Sequence, residues 1–222
     1  MNNINQTKTE GAVHLAAIGE VKNDITKKRF LRQTNPIYKD PIKLQVTKVI
    51  FDKTSYEAFT VSSKYQNSNV DIRYNDSLKI KSVFLDIRVQ DKIALLSNIN
   101  SDNNHSLVEY LKLNEEESII SNISIALNPT DLEAVLNADE VFLTKSGLKD
   151  YAISLYNNSK LTKTIRFNQG VIFSYKSSHF CWKQNENYQS RIVDIVPSGT
   201  QCPRKTFRSA KRANKKVDYF KF

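Results

Sequence analysis

Apolar and polar residues alternate with a period of two along much of this chain, the signature of half-buried strands. Over residues 42–51 the apolar positions fall at 42, 44 and 46, then change phase to 49 and 51, which predicts a strand that bulges or ends there. Residues 56–63 alternate in the same way, with Phe59 and Val61 opposite Tyr56, Ala58, Thr60 and Ser62, and predict a second strand. Two further strands are predicted over 70–74 and 78–89, separated by Asn75-Asp76-Ser77, side chains that favour turns. Residues 42–100 therefore read as a small antiparallel β lobe. The polar run Ser101-Asp102-Asn103-Asn104 reads as an internal boundary.

Beyond it the period changes. Leu107, Val108, Tyr110, Leu111 and Leu113 suit a short helix, and residues 119–127 return to strand alternation. Asn128-Pro129-Thr130 opens a helix over 130–137, with Thr130 and Glu133 spaced as a capping box. A short strand at 140–144 precedes a predicted helix over 146–156, with Leu148, Tyr151, Ala152 and Leu155 on one face. Residues 164–167 and 171–175 flank Asn168-Gln169-Gly170 as a hairpin would, and 180–183 and 191–196 flank 184–188 likewise. Residues 101–203 thus read as an α+β lobe ending in an aromatic meander. Its rings are Phe167, Phe173, Tyr175, Phe180, Trp182 and Tyr188, with Val171, Phe173 and Tyr175 on one face. Rings of this size in a small sheet serve first as core. Pro197-Ser198-Gly199 ends the meander.

Charge changes the picture at the two ends. The chain carries 33 Lys and Arg against 23 Asp and Glu, a net charge of +10. Residues 204–222 hold eight bases and one acid, and residues 1–43 hold eight bases and four acids, so the stretch between them is close to neutral. The fold class read from the sequence is α+β: mainly antiparallel strands with a few short helices, two lobes in one body, a basic N-terminal arm at 1–41 and a basic C-terminal tail at 204–222. Within the tail, Arg204, Arg208, Lys211, Arg212 and Lys215 share one helical face, Phe207, Ala210, Ala213 and Val217 fall on another, and Thr206 is placed to cap. Deleting the tail is expected to leave the body's melting unchanged.

A hydrophobic content of 40% is that of a globular chain, not a disordered one. No apolar run reaches the length of a membrane span, and the apolar stretch at 12–18 is too short for a secretory leader. An intracellular location is expected, with a virion as the alternative. Two cysteines make no disulfide framework. Cys181 and Cys202 are expected as free thiols. His179, Cys181 and Cys202 offer three zinc ligands without a fourth, so no metal or cofactor is expected.

The histidines His14, His105 and His179 stand in no catalytic spacing, and phosphate-loop and nucleophile motifs are absent. The nearest acid group is Asp131, Glu133, Asp139 and Glu140, whose first two members helix capping and the helix dipole explain. No enzyme is expected. The expectation is a non-enzymatic protein that grips an anionic polymer, nucleic acid first, through Arg204, Lys205, Arg208, Lys211, Arg212, Lys215 and Lys216, with Lys27, Lys28, Arg29 and Arg32 as a second cluster. The runner-up is a subunit of a large assembly such as a viral particle, self-associating through arms that reach neighbours. A membrane-surface helix is a third reading, and a membrane partner is not expected.

Overall fold

Two long strands at the centre organise the chain: β6 (Glu117–Ala126) and β10 (Val171–Gln184). The computed structural model describes residues 7–8, 13–23, 28–75, 77, 81–147 and 150–215. β6 carries isoleucine at 119, 120, 123 and 125, each with no exposed surface, so both of its faces are covered. A β-branched strand buried on both faces belongs in a sheet interior. β6 pairs antiparallel with β10 over nearly its whole length.

The other strands extend from this pair: β1 (Thr7–Lys8), β2 (Ile18–Asn23), β3 (Lys28–Thr34), β4 (Ile42–Ile50), β5 (Val83–Val89), β7 (Glu140–Lys145), β8 (Tyr151–Asn157), β9 (Lys160–Arg166) and β11 (Ser190–Pro197). Their pairing runs β1-β10-β6-β5-β4-β7-β8-β9, with β11 also on β10, and β2 joining β6 to β3. Every pairing is antiparallel. Among the described residues, five α-helices decorate the sheet: α1 (Lys53–Ser63), α2 (Lys92–Ile99), α3 (His105–Leu113), α4 (Pro129–Leu136) and α5 (Ala210–Lys215). None is long and apolar enough to cross a membrane.

Several expectations are corrected. Residues 56–63 are helix, not strand. Asp52 caps α1 by accepting from the Ser55 amide at 2.7 Å, and Ala58, Phe59 and Ser62 then share the buried face. Residues 70–74 form no strand, and the part of the predicted strand at 78–80 lies outside the described residues. Residues 151–157 are strand, not helix, because Tyr151 through Leu155 are all buried between β7 and β9. Leu148, the first residue of the supposed helical stripe, lies outside the described residues. The helix at 129–136 stands, but Asn128 caps it, with Pro129 in its first turn; the expected Thr130 cap is two residues late. The hairpin at 164–175 is absent, since β9 pairs with β8 and β10 pairs with β6.

A bulge between Ile172 and Ser174 breaks the expected face. Val171 and Phe173 join an aromatic cluster with Phe51, Phe59 and Phe84, whereas Tyr175 joins the main core beside Ile172. The extra residue turns Tyr175 to the opposite side of the strand.

Both proposed arms are tied to the body where they are described. Val13, Leu15, Ala16, Ala17 and Ile18 are at most 5% exposed. The Tyr38 hydroxyl donates to the Ala16 carbonyl at 2.7 Å, and the Tyr151 hydroxyl donates to the Pro36 carbonyl at 2.7 Å. Asn104, expected at a boundary, is buried and bonds both the amide and the carbonyl of Ile37 at 2.8 Å.

Candidate functional site

The β10–β11 hairpin carries the C-terminal segment. After β11, a turn from Pro197 to Thr200 reverses the chain, and Gly199 adopts φ +91° there. Cys202 then meets Cys181 of β10 in a disulfide with Cα atoms 5.7 Å apart. The expected free thiols are corrected: the turn after β11 brings Cys202 back against β10. Phe207 and Trp182 exchange backbone hydrogen bonds of 2.7 and 2.9 Å, so the segment adds one bridge to β10. Ser209, not Thr206, stands at the start of α5, where its Oγ accepts from the Arg212 amide at 3.3 Å, and its hydroxyl reaches the Glu115 carboxylate. The Ser190 hydroxyl lies within hydrogen-bond distance of the Ala210 carbonyl and the Asn214 side chain. Ala210 and Ala213 are buried against the core, on the apolar side that helical spacing predicts.

This anchoring fixes the basic side chains on the outer side. Arg204, Lys205, Arg208, Lys211 and Arg212 are all exposed. Among the described residues, Arg208 alone of the five has an acid within ion-pair distance, Glu116 at 3.7 Å. Lys215 ends α5 with its side chain outside the described residues, and Lys216 lies outside them altogether. Lys27 is likewise outside. Lys28, Arg29 and Arg32 fall on β3, in the β2–β3 hairpin, with their side chains outside the described residues. The described side chains that come together thus belong to the C-terminal cluster.

Three neighbours escaped the sequence reading. A cleft of about 330 Å³ beside the segment is lined by Lys183, Gln184, Tyr188, Lys205 and Phe207. Lys183 is exposed, and Tyr188 sits at the hairpin tip with φ 60° and 66% of its surface exposed. A second cleft of about 350 Å³ places Lys112 of α3 beside Lys211 of α5. Only the Tyr188 position carried a signal in the sequence, as an aromatic in a predicted turn. The other rings of the meander, Phe167, Phe173, Tyr175, Phe180 and Trp182, are at most 4% exposed and serve the core.

Of the four acids considered for catalysis, Glu133 is exposed on α4 and the other three are engaged separately. Asp131 pairs with Lys163 at 2.5 Å, Glu140 pairs with Lys43 at 2.7 Å, and Asp139 accepts from the Asn158 amide at 2.8 Å. Among the histidines, His14 packs on Phe167 with ring centroids 5.7 Å apart. Burial, opposed by the Asp150 carboxylate, holds its pKa below the ordinary value. His179 is buried beside the disulfide, and burial together with the Arg208 charge lowers its pKa. The ligand atoms of His179, Cys181 and Cys202 lie within 4.8 Å of one another.

Comparison of the chain with protein-family models, with curated proteins and with solved structures found no match.

Proposed function

We propose that the protein binds an anionic polymer, nucleic acid first, through the C-terminal segment and the adjoining hairpin tip, without catalysing a reaction. The observation that carries this reading is a set of exposed cations, Arg204, Lys205, Lys211 and Arg212, with no acid in ion-pair range among the described residues. Such cations would ordinarily be offset by nearby carboxylates. Of the neighbouring acids, Glu115 and Glu116 are committed to Ser209 and Arg208 and Glu109 to Lys112, while Glu186 lines the first cleft with no ion pair to Lys183 or Lys205 among the described residues. Exposed cations on an anchored segment neutralise phosphates and release their counterions without first ordering the chain. Lys183 extends the set, and Tyr188 offers an exposed ring on which an unpaired base can stack.

The assembly reading relied on arms that leave the body. The described parts of both arms pack on their own chain, and the assembly reading stands as the second proposal, tested by particle size after deletion of an arm.

Titration of labelled single- and double-stranded oligonucleotides across a salt series tests the proposal. With about four or five phosphates neutralised, log K falls against log salt with a slope of about −3 to −5. The double change Lys211→Ala and Arg212→Ala lowers that slope by about 2, equally on every sequence, because phosphate contacts carry no base information. No binding at low salt, or a variant indistinguishable from the parent, would sink the reading.

A further inference from the structure

We propose that His179, Cys181 and Cys202 form a zinc site once the disulfide between the two cysteines is reduced, so that a metal can replace the disulfide as the clasp on the C-terminal segment. His179 and Cys181 are two apart on β10, so both side chains point to one face of the strand. Cys202 reaches the same face from the loop after β11. The three donor atoms fall within 4.8 Å of one another, around a common centre that one cation can occupy.

The imidazole supplies the independent sign of a ligand. His179 is 3% exposed, and its Nδ1 has no hydrogen-bond partner. A buried polar nitrogen left without a partner bears its desolvation penalty uncompensated. The disulfide beside it supplies no donor hydrogen to that nitrogen. A cation coordinated there gives it the missing partner.

The geometry of the swap is modest. Two Zn–S bonds of about 2.3 Å at a tetrahedral angle set the sulfurs about 3.8 Å apart. Cys202 is the less buried of the two cysteines and lies in a loop, so its side chain can turn to reach that spacing. Three protein ligands leave the fourth position to water on the Cys202 side.

The chemistry balances with a dithiol reductant. It gives two electrons and two protons to the Sγ–Sγ bond, which breaks into two thiols, and becomes a disulfide itself. Zinc then displaces both thiol protons to solvent. Two thiolates and a neutral imidazole surround the cation, and the site carries no net charge. Disulfides do not persist where thiol pools are reducing, and there the metal form holds Cys202 against β10. The proposal does not depend on nucleic-acid binding and is read through the metal alone.

The test uses the full chain, reduced with dithiothreitol, desalted under argon and titrated with Zn²⁺ against a chromophoric chelator. Reduced protein is expected to take up one zinc per chain and oxidised protein none. Co²⁺ in place of zinc is expected to show thiolate-to-cobalt charge transfer and the strong visible bands of a four-coordinate ion. His179→Gln keeps the size and polarity of the position, and its fold is checked by circular dichroism, as is that of Cys202→Ser. Each is expected to weaken zinc binding by at least about tenfold, since loss even of an outer partner does so. Absence of the charge-transfer band in the reduced wild type overturns the proposal whatever the variants do. Zinc held equally well by His179→Gln overturns it too, since two thiols alone would then account for the binding.

Discussion

Asp52 shows how a single side chain selects between two structures that share one pattern. Its carboxylate accepts from the Ser55 hydroxyl and the Ser55 amide, both at 2.7 Å, while the Asp52 amide donates back to Ser55 Oγ at 2.9 Å. The reciprocal cap starts a helix where apolar alternation alone reads strand. Those hydrogen bonds, the Ser55 hydroxyl first, hold the Asp52 pKa below its ordinary value of 3.8. A lowered folded-state pKa contributes stability that is fully present above the unfolded value and lost as pH falls through the folded one. Asp52→Ala is therefore expected to cost about 1 kcal/mol at neutral pH, and urea titrations should show that difference shrinking below pH 3.8. A difference that stays constant down to strong acid would mean the carboxylate charge has no part in the cap. Gly170 was legible in identity and misread in role. Between Asn168-Gln169 and a strand it reads as a turn glycine, yet its φ is an extended −116°. A Cβ there would stand 2.8 Å from the Ala126 carbonyl oxygen and 2.7 Å from the Ile125 and Leu127 side chains, so close approach to the β6 backbone, not turn geometry, requires glycine. One residue's neighbours in sequence cannot disclose a strand that meets it from 45 positions away.

At the scale of elements, most strands were readable from alternation, β6 among them although both of its faces are covered, and β8 was not. β4, β5, β7 and β11 follow their alternation closely. β8 does not: Tyr151 through Leu155 are buried on both faces, which removes the period that marks a strand. The candidate interface was half legible for a related reason. The charge of residues 204–216 stands out in the sequence, whereas the partners that fix it, Trp182, Ser190, Glu115 and Cys181, are distant along the chain. Phe207, Ala210 and Ala213 cover Trp182 and its neighbours on β10 and β11. Ending the chain after Pro203 is accordingly expected to destabilise the body, contrary to what a detached tail implies. Uncovering a buried tryptophan is of the order of 3 kcal/mol. For a chain of this size that is a fall in melting temperature of roughly 6–12 °C. Calorimetry showing an unchanged transition would restore the separate tail.

For the molecule as a whole, the question is whether residues 42–100 and 101–203 are separable units, as the polar run at 101–104 implies. The pairing path argues against a seam. β5 pairs with β6 through Leu85 and Ile125, and β4 pairs with β7 through Ile42 and Leu143, so the two strands of the first stretch lie between strands of the second. The Asn100 side chain donates to the Ile192 carbonyl at 2.8 Å, and Lys92 of α2 reaches the Ile195 carbonyl at 3.0 Å. Cut away from β6 and β7, β4 and β5 would expose both edges of a two-stranded ribbon and one side of Ile42, Leu85 and Ile87, which have no exposed surface in the whole chain. The fragment keeps only two strands, with α1 between them and α2 after them, and a two-stranded ribbon is marginally stable at best in water. The fragment 42–100 is therefore expected to be unfolded by amide-proton dispersion in NMR. In the intact chain the single tryptophan, Trp182, reports on β10 in the second stretch, while amide exchange on β4 and β5 reports on the first. A shared core makes the two lose protection together. Both probes should give one urea midpoint within error. Exchange of β4 and β5 amides at urea concentrations where Trp182 fluorescence is still native would instead mean that the first stretch opens as an independent unit, and that the polar run at 101–104 marks a true boundary.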